Sequence, residues 1–219
     1  MKVGVLALQG DVPEHARAAA EAARDEEVVL VRRPRDLEGV EALLMPGGES
    51  TTIAGLLERN RLFEPLAERL KAGLPVLATC AGLILLAQRL ERSEGGRDPK
   101  TLGVLDVLVR RNDYGAQRES FEAPVRVEGL SGAAFPGVFI RAPRILEVGP
   151  GARPIAWRGE EVVGAAHGLA WGLTFHPELA PDRRLLAHFL AEARRAGQST
   201  KKSSRAMPRR AVPTATATQ

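Results

Sequence analysis

The sequence predicts an α/β fold: a three-layer, mostly parallel sheet with helices on both faces and antiparallel strands at one edge. Three observations predict it. Short, unbroken apolar runs without polar alternation read as strands buried on both faces. Segments of helical periodicity lie between those runs, which implies right-handed crossovers and a covered parallel sheet. Between residues 102 and 175, by contrast, only short apolar segments parted by Gly and Pro occur, the pattern of antiparallel strands.

In chain order, Val3-Gly4-Val5-Leu6-Ala7-Leu8 is the first buried run. Asp11 and Glu14 stand three apart around Pro13, which predicts a helix start closed by an Asp form of the capping box. Residues 28–31 and 42–45 repeat the buried strand, and Pro46-Gly47-Gly48 stops the second sharply. Leu56, Leu57, Leu62, Phe63, Leu66 and Leu70 then recur at helical spacing, and Gly73 with Pro75 marks the helix end before a strand at 76–78. Segments 102–109, 125–127, 138–140, 145–148, 161–165 and 170–175 follow as strands. Residues 182–195 read as a closing amphipathic helix.

At 219 residues and 44% hydrophobic content, the chain supports one domain, residues 1–196, and a tail, residues 197–219. The net charge of +4 is not a nucleic-acid signature, because the tail alone carries Lys201, Lys202, Arg205, Arg209 and Arg210 and no acid. Removing those five charges leaves the body at −1. Lacking apolar periodicity, the tail is expected to be disordered and solvated. A single cysteine excludes an internal disulfide and fits a reducing compartment. No apolar run approaches the ~20 residues of a membrane span, so a cytoplasmic protein bound to neither membrane nor nucleic acid is expected.

Chemistry concentrates at three places. In Val76-Leu77-Ala78-Thr79-Cys80-Ala81-Gly82-Leu83, a buried strand runs straight into an apolar helix with the cysteine at the junction. Alone, a buried cysteine is a packing residue. With the small neighbours Ala78, Ala81 and Gly82 it reads as a nucleophile elbow, where a tight turn projects the side chain above the sheet. His176-Pro177-Glu178 holds a carboxylate at fixed offset from an imidazole, suited to orienting a proton shuttle, although by itself the triplet could equally be a turn or half a metal site. Metal and cofactor are not expected: a zinc deaminase would need a Pro-Cys-x-x-Cys downstream, and no cysteine follows position 80. Pro46-Gly47-Gly48-Glu49-Ser50-Thr51-Thr52 offers backbone amides that can approach a substrate, or is simply a turn; it lacks the Lys of a phosphate loop. His15, His167 and His188 read as structural or solvent-facing.

Together with Arg111-Asn112, Gly115 and Gln117, with Phe139-Ile140-Arg141-Ala142-Pro143 and with Phe175-His176-Pro177-Glu178-Leu179, these segments resemble the glutaminase subunits of pyridoxal 5′-phosphate (vitamin B6) synthase. These subunits are triad glutamine amidotransferases of class I, with a flavodoxin-like sheet. The resemblance runs from Met1 to about residue 196. It implies Cys80 as nucleophile, His176 as general acid and base, and Glu178 as the orienting carboxylate. It further implies that Gly48, Glu49, Ser50, Arg111, Ile140 and Arg141 hold L-glutamine, and that the amides of Gly48 and Ala81 form an oxyanion hole. The implied partner is a synthase subunit of the PdxS/SNZ type in a hetero-oligomeric complex. Ala78 stands where the family usually has glycine, Tyr114 where it usually has phenylalanine, and the tail has no family counterpart.

The reaction so implied is thiolate attack on the glutamine side-chain amide, release of ammonia and hydrolysis of a γ-glutamyl thioester. Alternatives are an amidotransferase of another pathway, a catalytically silent regulatory subunit on the same scaffold, or a cysteine peptidase. Because free ammonia is wasted without an acceptor, the isolated chain is expected to be a poor glutaminase. A synthase docking near Gly47-Gly48 and Gln9-Gly10 is expected to activate it.

Overall fold

Alternate residues of the early strands enter two different cores, which is why their sequences carry no polar alternation. The structure, a computed structural model, describes residues 1–23, 25–92, 98–111 and 120–205. The motif residues Asn112, Tyr114, Gly115 and Gln117, and residues 206–219 of the expected tail, lie outside the described residues. Strands β1 (Lys2–Leu6), β2 (Glu27–Val31), β3 (Ala42–Met45) and β4 (Val76–Thr79) form the parallel block with β12 (Ala170–Leu173). Val3 and Val5 of β1, Ala42 and Leu44 of β3, and Leu77 of β4 face one core. Leu6, Leu43, Met45, Val76 and Ala78 face the other.

Helices α2 (Ser50–Arg59), α3 (Phe63–Lys71) and α4 (Ala81–Leu86) cover the second core with Ile53, Leu57, Leu66, Leu70 and Leu83. Helices α1 (Val12–Ala22) and α5 (Arg184–Arg205) cover the first with Ala18, Ala19, Leu186, Phe189 and Leu190. Each fully buried Leu or Phe contributes about 1.5–3 kcal/mol, so both helical layers are held mainly by this burial. The remaining strands are β5 (Ala87–Leu90), β6 (Leu105–Arg110), β7 (Phe121–Val127), β8 (Phe135–Phe139), β9 (Arg144–Val148), β10 (Arg153–Arg158) and β11 (Glu161–His167). Among the described residues the large sheet has the order β2-β1-β3-β4-β12-β11-β10-β7-β8, and β5-β6-β9 form a small second sheet. From β12 outward every pairing is antiparallel, which agrees with the expected architecture.

Several local expectations change. The helical spacing from Leu56 to Leu70 belongs to two helices, not one. Arg61 adopts φ 53°, its amide bonds Glu58 O and the Leu62 amide bonds Leu57 O, a Schellman stop made without glycine. The apolar stretch after Cys80 is a helix for only six residues before β5 begins. Strand β10 escaped the sequence reading because Pro154 and its charged ends, Arg153 and Arg158, disguise it; the register with β11 shifts there. Helix α5 continues to Arg205, past the expected end at 195, although its last described buried apolar residue is Ala193. Among the described residues, no helix is long and apolar enough to cross a membrane.

The topology also places the site. In the order β2-β1-β3 the chain reverses direction across the sheet beside β1, and the crevice at the carboxyl ends of β1 and β3 is where open α/β sheets bind ligands. Gln9, Gly10 and Asp11 follow β1, Gly47 and Gly48 follow β3, and Cys80 follows β4. In the parallel pairing of β4 with β12, Thr79 lies opposite Leu173, and the Cys80 amide donates to Leu173 O at 2.8 Å. Residues leaving β12 therefore emerge beside Cys80.

Candidate active site

Cys80 sits in the turn between β4 and α4 with φ 49° and ψ −103°, a conformation that L-residues avoid. Such strain persists only where the surroundings fix it. Here the surroundings are the tight contacts of the elbow: a side chain at Gly82 would lie 2.4 Å from Met45 O, and Ala78 is fully buried below. The elbow thus forms with alanine at 78. Cys80 is 7% exposed, and its Sγ points at Ile140 O, 3.9 Å away.

His176 comes out of β12 with its amide bonded to Val138 O at 2.8 Å, and its ring is pinned from one side. Nδ1 lies 2.6 Å from Glu178 Oε1 and 3.0 Å from Asp11 Oδ2. Carboxylate oxygens accept, so Nδ1 carries a proton. Nε2 is buried, with no direct hydrogen-bond partner among the described residues, and is the ring nitrogen left to accept or give a proton. Burial disfavours the imidazolium, but the contacts with Asp11, Cys80 and Glu178 together outweigh it and hold the His176 pKa well above its ordinary value. Burial raises the Glu178 carboxyl, and His15 and His176 oppose that shift only in part. Asp11 goes the other way. Burial would raise it, yet its hydrogen bonds to His176 and Glu178 and the nearby histidine charges hold it far below the usual carboxylate range.

One residue here was misjudged from sequence, and one expected to be structural or solvent-facing proves buried. Asp11 was expected to cap α1, but its side chain makes no cap bond and turns to His176 instead. His15 was expected to be structural or solvent-facing; it is 2% exposed, with Nδ1 donating to Asp11 O at 3.1 Å and Nε2 3.2 Å from Thr79 Oγ1 and 3.5 Å from Glu178 Oε2. The pairing across sequence distance, 165 residues from Asp11 to His176, left no local signal. His167 and His188 lie elsewhere, on Gly151 O and against the Trp171 ring. Asp11, His15 and Glu178 bring donor atoms within 4.8 Å of one another, a spacing that suits a metal ion, but both carboxylates already hold His176 Nδ1.

The glycine pair packs against both elements. A methyl at Gly47 would meet His176 Cε1 at 2.4 Å, and one at Gly10, with φ 105°, would meet Gly47 O at 1.8 Å. Gln9 Oε1 accepts the Glu49 amide at 2.8 Å and so fixes the Gly48-Glu49 peptide. A cleft of about 280 Å³ opens above Cys80, lined by Gly48, Glu49, Ser50, Arg111, Ile140 and Arg141 with Asp11 and His176. The structure therefore brings the six residues expected to hold glutamine to one cavity with Cys80 and His176, while Ala81 and Glu178 stand outside its lining. Arg111 lies 3.6 Å from both Glu49 and Asp98 carboxylates, and Arg141 holds φ 42°. Ala81 opens α4, and first-turn amides have no intrahelical acceptor.

The Glu49 carboxylate has a structural task as well. It accepts the amides of Thr51 and Thr52 and both their hydroxyls, capping α2. Burial opposes ionisation, but these bonds win and bring its pKa from 4.5 down to about 2. Because the folded value is depressed, the stability it contributes is complete above the ordinary carboxylate range and is lost as pH falls from about 4.5 toward about 2. Glu49→Ala is expected to cost about 1 kcal/mol at neutral pH, the usual value of a cap. The difference from the parent in urea unfolding should vanish near pH 2; a constant difference would show that charge plays no part.

This α/β sheet with a cysteine elbow at the carboxyl ends of its parallel strands is the architecture of the glutamine amidotransferases. A crystal structure of a glutamine amidotransferase matches it with a TM-score of 0.79 at 42% identity, covering 87% of this chain and 98% of its own. The chain belongs to the SNO glutamine amidotransferase family, whose sequence profile matches residues 5–195. It is 48% identical over 198 residues to pyridoxal 5′-phosphate synthase subunit PdxT of Thermococcus onnurineus, covering 88% of this chain and 99% of the relative. To the subunit of the same name from Geobacillus kaustophilus it is 49% identical over 190 residues, 87% and 93% of the two chains. PurLQS from Thermotoga maritima, at 13% identity and a TM-score of 0.59 over 91% of this chain and 98% of its own, shares the fold alone.

Proposed function

We propose that this chain is the glutaminase subunit of a pyridoxal 5′-phosphate synthase, releasing ammonia from L-glutamine for a cytoplasmic synthase partner of the PdxS/SNZ type. The observation that carries this reading is the His176 imidazole, held at Nδ1 by carboxylates and facing Cys80 across the cleft. Cys80 passes its thiol proton to His176 Nε2 and its sulfur attacks the side-chain amide carbon, and the oxyanion is met by the amides of Ala81 and Gly48. Imidazolium protonates the departing nitrogen, which leaves as ammonia. Neutral His176 then takes a proton from water as it attacks the γ-glutamyl thioester, giving glutamate and restoring the thiol. Arg111 and Arg141 on the cleft wall receive the substrate α-carboxylate.

The clamp of Gln9 on the Glu49 amide and the contact of Gly10 with Gly47 support gating by a partner, since a surface that engages Gln9-Gly10 also controls the Gly47-Gly48 peptides. The test measures glutamate release by the purified chain alone and with its synthase partner, together with ammonia-dependent synthesis. Activation of about tenfold, equivalent to a 1.4 kcal/mol bias between peptide orientations, is expected. Equal rates alone and in the mixture would remove the gating; no glutamate in either would remove the function.

A further inference from the structure

We propose that Asp11 is a second positioning carboxylate of this site, sharing His176 Nδ1 with Glu178 and itself seated by His15. The inference rests on the glutaminase reading above and deepens it. Three observations carry it. First, Asp11 occupies the N-cap position of α1, where its side chain would ordinarily bond the exposed amides, yet it makes no such bond. The foregone cap is replaced by a 3.0 Å contact to His176 Nδ1. Second, Asp11 and Glu178 reach His176 Nδ1 from separate elements: Asp11 follows β1, whereas Glu178 follows β12. Two carboxylates on one N–H, from separate elements, restrict the ring's rotation as one cannot. Third, the cluster is closed behind them. His15 Nδ1 donates to Asp11 O at 3.1 Å, so its Nε2, when neutral, accepts from Thr79 Oγ1 at 3.2 Å, one residue before Cys80. One helix turn thereby ties the positions of Asp11, Glu178 and the elbow together.

The groups facing His176 are Asp11 from the start of α1, Glu178 from the segment after β12, and Cys80 from the elbow; His15 stands behind the carboxylates at 3.5 Å from Glu178 Oε2. Arg111, Arg141 and Glu49 line the same cleft from their own elements, and Arg183 reaches the Glu178 carbonyl at 3.4 Å. Of the two carboxylates, burial pushes Glu178 toward its neutral form, while Asp11 is held ionised. Asp11 therefore supplies the fixed negative charge that keeps His176 an imidazolium until the leaving nitrogen takes its proton.

The experiment compares the parent with Asp11→Asn, Asp11→Ala and Cys80→Ala in complex with the synthase partner. It measures kcat and KM for glutamate release across pH, and titrates His176 by NMR in the free chain. Asparagine retains an acceptor and caps helices well, so the fold is expected to survive, as a circular dichroism melt would verify. The expected result is a kcat about tenfold lower for Asp11→Asn and lower still for Asp11→Ala, with KM unchanged within about twofold. Removing a negative charge disfavours the imidazolium, so the alkaline limb of the kcat profile and the NMR titration should both move to lower pH. An Asp11→Asn enzyme with the parent's alkaline limb and His176 titration would overturn the proposal, whether or not kcat fell, because packing alone would then explain any loss. The underlying reading fails differently: Cys80→Ala would keep its turnover.

Discussion

Replacing Cys80 with alanine is expected to lower glutamate release by at least about ten-thousandfold and to leave the melting temperature of the protein nearly unchanged. The chemical half of this follows from the cleft: no other nucleophile lies among its described lining residues at the position that faces His176. The structural half follows from how little the sulfur contributes to packing. Its hydrogen bond to Ile140 O is long, at 3.9 Å, and alanine bears the same backbone strain at φ 49° as cysteine. Cys80→Gly should be equally inactive but should melt above Cys80→Ala, because glycine relieves strain of about 1–3 kcal/mol and the entropy it adds to the unfolded chain offsets only part of that. Within the same series, Glu178→Gln should fall less far than His176→Ala, since Asp11 still holds Nδ1. Glutamate release by Cys80→Ala at the parent rate would end the assignment of the nucleophile. A glycine variant that melts below the alanine one would show that the elbow stores no strain.

The parallel strands, the elbow and the His-x-Glu triplet were legible in the sequence because each is a local pattern. An apolar run without alternation, a cysteine between a strand and a helix, and an imidazole two residues from a carboxylate need no knowledge of distant partners. Asp11 was read as a cap for the same reason: locally, an Asp before Pro13 and Glu14 has no better use. The better use lay 165 residues away, and only the successive pairings of β1 with β3, β3 with β4 and β4 with β12 brought it near. The break between α2 and α3 was hidden because Arg61, not glycine, takes the positive φ. Strand β10 was hidden because its hydrophobic content is Ile155, Ala156 and Trp157 between charged residues, beside a register shift. Where tertiary contacts overrode local preference, the sequence pattern pointed to the ordinary role.

The glycine pair yields the other large effect. Gly47→Ala is expected to reduce glutamate release by about a hundredfold while costing only about 1–3 kcal/mol of stability. A Cβ there lies 2.4 Å from His176 Cε1, 3.1 Å from Asp11 Oδ1 and 3.2 Å from His176 Nδ1. The backbone at Gly47 is not in the positive-φ region, so the methyl itself is tolerated by the chain; the conflict is with the ring. A ring tethered at 2.6 and 3.0 Å to two carboxylates can yield only by giving up one of those contacts or by turning Nε2 away from the sulfur. Either response misaligns the proton transfer. Gly10→Ala provides the contrast. There the new atom would lie 1.8 Å from Gly47 O, a backbone atom, and φ is 105°, so the loop after β1 must rebuild and both stability and activity should fall. Thermal melting and glutamate release of the two variants separate the cases. Full activity in Gly47→Ala would mean that the imidazole has room to move, and that its fixed seat between Asp11 and Glu178 is not what the reaction depends on.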